Sequence, residues 1–170
     1  MSTSATETER RPRAAVITVS TSKAAGAGED QSGARLVELV EHLGLELAGR
    51  DLVGDDRAQI EARLRHWADV ERCALVLTTG GTGLAPSDVT PEATRAVLER
   101  EAPGIAEAIR DASRAHTPHW MLSRGVAGVR GGTLIVNLPG SPRSIAQTGE
   151  ALAPAVPHAL ELIAGRRSAH

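Results

Sequence analysis

Three short runs in this chain are apolar or β-branched at nearly every consecutive position: Ala14-Ala15-Val16-Ile17-Thr18-Val19, Ala74-Leu75-Val76-Leu77-Thr78-Thr79 and Thr133-Leu134-Ile135-Val136-Asn137-Leu138. A strand with one solvated face alternates apolar and polar residues, so unbroken runs fit strands covered on both sides, as in a parallel sheet between two layers of helices. The segments between the runs supply those layers. Leu36, Leu39, Val40 and Leu43 recur at helical spacing, with Gly44 where a C-terminal cap belongs. Leu45 to Val53 reads as a further strand and Gly54-Asp55-Asp56 as a turn in which either aspartate can cap the next helix, whose buried face is Ile60, Leu64 and Trp67. Thr90 as N-cap and Pro91 as first helical residue start a helix expected to run through Arg100. Pro103 opens another, with the stripe Ile105, Ala108, Ile109 and Ala112, after which His116 to Gly132 reads as glycine-rich and weakly structured. Ser144 to Ala164 is helical by the spacing of Leu152, Val156, Leu160 and Ile163, split or kinked by Pro154 and Pro157. Alternating strands and helices give the α/β class, with a mostly parallel central sheet and right-handed crossovers.

A chain of 170 residues can bury a core without disulfides or a structural metal, and one domain is expected over residues 14–165, between polar tails at 1–13 and 166–170. With 19 Lys+Arg against 21 Asp+Glu there is no basic field for nucleic acid or for a membrane surface. The only aromatic residues, Trp67 and Trp120, leave no platform for stacking bases. Cys73 is the single cysteine, which excludes an intrachain disulfide and fits a reducing compartment. The stretch before Ala14 lacks the apolar centre of a signal peptide, and no run approaches the roughly 18 apolar residues of a membrane span. The expected location is the cytoplasm.

In open α/β sheets ligands bind beyond the carboxyl ends of the strands. The most informative stretch there is Thr78-Thr79-Gly80-Gly81-Thr82-Gly83-Leu84-Ala85-Pro86-Ser87-Asp88-Val89-Thr90-Pro91-Glu92, which packs three glycines, several hydroxyls and the Asp88 carboxylate between a buried strand and a helix. Its glycines permit close backbone approach to phosphate oxygens, although neither the dinucleotide fingerprint nor the Gly-Lys-Ser/Thr of a P-loop is present. A second loop of similar make-up, Asn137-Leu138-Pro139-Gly140-Ser141-Pro142, also follows a buried strand, and Arg124, Arg130 and Arg143 are near enough in sequence to neutralise an anion held between the two. Asp55 and Asp88 each follow a strand; two carboxylates beside a polyphosphate suggest Mg²⁺, while the ordinary reading of Asp55 is a helix cap. His116 and His119 lack a third ligand, and Cys73 reads as a small buried apolar residue. Lys23, in the first loop, is either a charge beside the ligand or a solvated side chain.

Taken in order, Thr79-Gly80-Gly81-Thr82-Gly83, Ser87-Asp88-Val89-Thr90-Pro91-Glu92, Pro103-Gly104-Ile105, Leu122-Ser123-Arg124 and Asn137-Leu138-Pro139-Gly140-Ser141-Pro142 resemble the MoaB/Mog molybdopterin-binding family, which includes the gephyrin G domain, from about Ala14 to Gly165. The resemblance implies a three-layer α/β/α sandwich and a place in molybdenum cofactor synthesis. The implied activity is the Mg-ATP-dependent adenylylation of molybdopterin, which releases pyrophosphate and primes molybdate insertion by a partner protein. Carried over by motif, Asp55 and Asp88 are the expected catalytic residues and Mg²⁺ ligands. Gly80, Gly81, Thr82 and Gly83, with Pro139, Gly140 and Ser141, are the expected nucleotide-binding residues, and Ser123 and Ser22 the expected molybdopterin contacts. The resemblance also implies a homotrimer or hexamer. Two departures stand out: Ser20-Thr21-Ser22-Lys23 replaces a common Ser-Asp-Arg, and Ser87 stands where a basic residue often precedes the aspartate. Competing readings are a catalytically silent molybdopterin carrier and a Mg²⁺-dependent dinucleotide pyrophosphatase. The retained aspartates favour the transferase, since a mere binder has no use for two anions beside phosphates.

Overall fold

The computed structural model describes residues 10–166. The tails expected at 1–13 and 166–170 lie mostly outside that range, and Arg13 already belongs to the first strand. Strand β1 (Arg13–Val19) leads through a single helical turn, α1 (Thr21–Ala24), and helix α2 (Gln31–His42) to β2 (Glu46–Val53). Helix α3 (Arg57–Arg65), continued by a π-helical turn at His66–Val70, leads to β3 (Leu75–Thr79). Then follow α4 (Thr90–Val97), β4 (Arg100–Glu101), α5 (Pro103–Arg114), a 3-10 turn at Trp120–Leu122, β5 (Ala127–Arg130), β6 (Thr133–Leu138), α6 (Pro142–Leu152) and α7 (Val156–Ile163). The sheet order is β2-β1-β3-β6-β5-β4; the first four strands are parallel, and β5 and β4 extend the sheet antiparallel.

The consecutive apolar runs are explained by the pleat. In β1, Ala14 and Val16 face one helical layer with Leu75, Leu77, Leu134 and Val136, against Leu36, Val40, Ile109, Ile145 and Val156. Ala15, Ile17 and Val19 face the other with Val76 and Ile135, against Ile60, Leu64, Trp67, Ala93 and Val97. Successive side chains point to opposite faces, so a strand buried on both must be apolar throughout. No helix among the described residues is long and apolar enough to cross a membrane.

Three expectations need correction. Helix α4 ends at Val97, because Leu98 turns extended (φ −71°, ψ 139°) and packs partly buried against the second core cluster, which lets Arg100 and Glu101 pair with Val129 and Gly128. The segment from His116 to Gly132 contains the 3-10 turn and β5, whose register on β6 sets Gly128 opposite Ile135 and Arg130 opposite Thr133. The two-residue Gly131-Gly132 link is a hairpin signal that the surrounding glycines obscured. Thr90 is the first residue of α4, with Val89 as N-cap; its hydroxyl donates to the Gly80 carbonyl instead. The proline split near the C-terminus is as expected: α6 ends at Leu152 and Pro157 sits in the first turn of α7.

Candidate functional site

The loops leaving the carboxyl ends of β1, β2, β3 and β6 are knotted together by hydrogen bonds. At the end of β3, Gly80 has φ +93°, and a β carbon there would stand 2.2 Å from the Val19 carbonyl oxygen. Only glycine fits that crossing of β1 and β3. Thr90 closes the loop on itself, its backbone N–H donating to Gly81 O (3.1 Å) and its hydroxyl to Gly80 O (2.9 Å). Thr79 Oγ1 donates to Pro139 O at 2.6 Å, joining the β3 loop to the β6 loop, and Ser32 Oγ donates to Gly140 O at 2.7 Å, joining the β6 loop to the start of α2.

The turn after β2 resolves the ambiguity between its two aspartates. Asp56 is the cap of α3, accepting from Gln59 N at 2.9 Å. Asp55 is not a cap: its Oδ2 accepts from Thr21 N (3.1 Å) and Thr21 Oγ1 (2.8 Å), while Asp55 N donates to Thr21 Oγ1 (2.9 Å). Its other oxygen, Oδ1, lies 3.4 Å from the point where a β carbon on Gly81 would stand. Asp88 approaches the same loop from the other end. Its Oδ2 accepts from Ala85 N at 3.0 Å and lies 2.8 Å from the corresponding point on Gly83. Both carboxylates therefore abut one glycine loop.

Arg124 holds that loop in shape. Its Nε donates to Gly83 O (2.7 Å), one terminal nitrogen to Asp88 O (2.9 Å) and the other to the Glu92 carboxylate, while its backbone N–H donates to Thr82 O (2.8 Å). The hydrogen bond from Arg124 holds the Glu92 carboxyl below its usual range, and Glu92 in turn raises the Arg124 guanidinium. Of the arginines expected near an anion, Arg124 already has partners within the protein, in the loop and at Glu92. Arg130 is committed to Asp69 (2.7 and 2.9 Å) and the Val97 carbonyl. Arg143 is exposed at the start of α6.

A cavity of about 480 Å³ opens beside the loops, lined by Ser20, Lys23, Ser32, Thr79, Gly80 and Gly140 among others. Gln31, Ser32 and Pro142, the first residues of α2 and α6, also line it, so two helix N-termini, the favourable ends for an anion, face the space. Ser141 caps α6 by accepting from Ser144 N at 3.1 Å. Ser22 is exposed beside Ser20, with the two hydroxyl oxygens 3.3 Å apart. Ser123 lies elsewhere, in a cavity of about 350 Å³ with Arg95, Arg110 and Gly125. Of the expected site residues, Gly80 and Gly140 line the larger cavity, Asp55 and Asp88 flank the loop beside it, and Ser123 lines the other.

Sequence reasoning passed over Asp30, which accepts from Gly33 N (2.9 Å), Thr18 Oγ1 (2.8 Å) and Arg50 (3.0 Å) and so anchors the start of α2 at the cavity. A cap followed by a helical stripe was its signal. Among the described residues no group of three or more His, Cys, Asp or Glu is placed to hold a metal unaided. Cys73 is buried, and burial pushes its thiol up, away from nucleophilic use.

Comparison with known proteins gives a consistent result. The family described as "Probable molybdopterin binding domain" matches residues 15–158. A molybdopterin adenylyltransferase of Helicobacter pylori is 42% identical over 152 residues, which cover 88% of this chain and 86% of that one. Gephyrin of Dictyostelium discoideum is 38% identical over 158 residues, spanning 87% of this chain but only 22% of that protein. Among solved structures, the molybdopterin biosynthesis enzyme MoaB of Thermus thermophilus superposes with a TM-score of 0.86 at 48% identity, covering 91% of this chain and 98% of that one.

Proposed function

The chain belongs to the molybdopterin-binding domain family, and on that premise we infer that it transfers the adenylyl group of ATP to the phosphate of molybdopterin in molybdenum cofactor synthesis. Relatives about 40% identical over most of the chain carry the name molybdopterin adenylyltransferase and support the reading. The observation that carries it to these residues is the placement of Asp55 and Asp88 against Gly81 and Gly83 of one loop.

In the reaction a phosphate oxygen of molybdopterin forms a bond to the α-phosphorus of ATP, the bond from that phosphorus to the β-bridging oxygen breaks, and pyrophosphate leaves. The nucleophile is already an anion, so the protein's task is positioning and charge stabilisation rather than activation of a hydroxyl. The glycine loop and the N-termini of α2 and α6 offer backbone N–H groups to the phosphates. Thr82, Pro139 and Ser141 belong to the same nucleotide-binding loops. Ser123 and Ser22 are proposed molybdopterin contacts, with Ser123 in the cavity separate from the phosphate loops.

The donor set fits Mg²⁺. That ion takes one or two carboxylates and completes its shell with water and substrate phosphates, in keeping with two aspartates at one loop and no larger ligating cluster among the described residues. Asp55 and Asp88 would hold it; when bound, it neutralises charge on the phosphates. Homotrimeric or hexameric assembly and hand-over of the product to a molybdate-inserting protein complete the proposal. The test is transfer of label from α-labelled ATP to molybdopterin. A labelled product with the mass of adenylyl-molybdopterin, lost with EDTA and restored by Mg²⁺, is expected; hydrolysis to AMP without transfer would contradict the reading.

A further inference from the structure

Lys23 is the only lysine in the chain, and its position is built rather than incidental. β1 ends at Val19, and Ser20 caps the turn that follows by accepting from Lys23 N at 3.3 Å. The first residue of that turn, Thr21, is the one that grips Asp55. The loop then folds back through Gly28, at φ +81°, where a β carbon would come within 3.2 Å of the lysine Nζ. One turn thus fixes Asp55 on one side and sets a lysine on the other, in the wall of the 480 Å³ cavity.

Within that wall Lys23 is the sole cation. Two carboxylates share the wall, Glu29 and Asp30. Asp30 is already satisfied by Arg50, Thr18 and Gly33, and Glu29 is exposed. Among the described residues Lys23 makes no ion pair, whereas Arg50, Arg124 and Arg130 all do. The remaining lining is hydroxyls, glycines and the first residues of α2 and α6, with no aromatic surface and only Val19 and Pro142 as larger apolar groups. Such a wall suits a chain of phosphates and offers nothing flat for a purine to stack on. A lysine ammonium is the compact point charge that phosphates accept from several directions.

We propose that Lys23 is a substrate-binding residue that contacts the β- and γ-phosphates of ATP and, after transfer, the pyrophosphate they become. The proposal rests on the adenylyl-transfer reading and adds the residue that offsets the repulsion between the triphosphate and the two aspartates.

A lone lysine makes the test direct, because an amine-acylating reagent can modify only Lys23 and the α-amino group, and the latter serves as the internal reference. Peptide mass spectrometry is expected to show that Mg-ATP and inorganic pyrophosphate slow acylation of Lys23 relative to the α-amine, while adenosine does not. In steady state, Lys23→Met is expected to raise the KM for ATP and weaken product inhibition by pyrophosphate, each about tenfold, the loss of one charge-assisted hydrogen bond. The loss falls on KM rather than kcat, and Lys23→Arg restores most of it. Equal acylation with and without pyrophosphate, or a Lys23→Met enzyme with unchanged KM, would overturn the proposal while leaving adenylyl transfer standing. A wild-type protein that fails to transfer adenylyl but whose Lys23 is shielded by pyrophosphate would overturn the reaction and support the phosphate site.

Discussion

Two adjacent aspartates with different work show how much a single residue's role depends on distant partners. Both Asp55 and Asp56 are good cap residues, and nothing local separates them. The separation comes from Thr21, which binds Asp55 across 34 positions of sequence and leaves Asp56 to cap α3. Asp56→Ala is expected to lower stability by about 1 kcal/mol in a denaturant titration, the ordinary cost of a lost cap, and to leave adenylyl transfer nearly intact. A loss of activity equal to that of an Asp55 variant would show that the assignment of roles is reversed. Arg124 teaches the same lesson from the other side. Sequence proximity recommended it as a ligand-binding cation, but hydrogen bonds tie it to Thr82, Gly83, Asp88 and Glu92, so it shapes the loop.

At the scale of elements, full burial made two strands plain in the sequence. β3 and β6 are five- and six-residue strands buried at every position, and their apolar runs announced them. β4 and β5 did not announce themselves: β4 is two exposed residues, and β5 is short, with glycines before, within and after it. Their pairing depends on close approach, since a β carbon on Gly128 would meet the Arg100 carbonyl oxygen at 2.3 Å and Leu98 Cδ1 at 2.6 Å. Gly128→Val is therefore expected to part β4 from β5 and to cost about 1–3 kcal/mol in thermal or chemical denaturation, the usual range for overpacking. A variant as stable as the parent would mean that the β4 edge contributes nothing to the fold. The glycine loop after β3 was legible as a motif, but its dependence on the Val19 carbonyl was not, because that contact joins strands about 60 residues apart.

For the molecule as a whole, the parallel order β2-β1-β3-β6 gathers four carboxyl ends at one edge, and every loop proposed to handle phosphate leaves from that edge. The alternation of side chains between two helical layers packs the strands behind that edge on both faces, which suits positioning without covalent catalysis. The fold class and the two glycine-bearing loops were readable from the chain, while the separation of the cavity beside those loops from the Ser123 cavity needed the three-dimensional packing of α5 against the 123–127 segment. The central claim is that Asp55 and Asp88 act together at one loop in adenylyl transfer. Its most direct test is molybdopterin-dependent release of pyrophosphate from Mg-ATP, measured for the wild type, Asp55→Asn and Asp88→Asn at matched stability. The account predicts release that requires molybdopterin and falls on the order of a hundredfold or more in each variant. Release that persists in either variant, or that proceeds without molybdopterin, would contradict it.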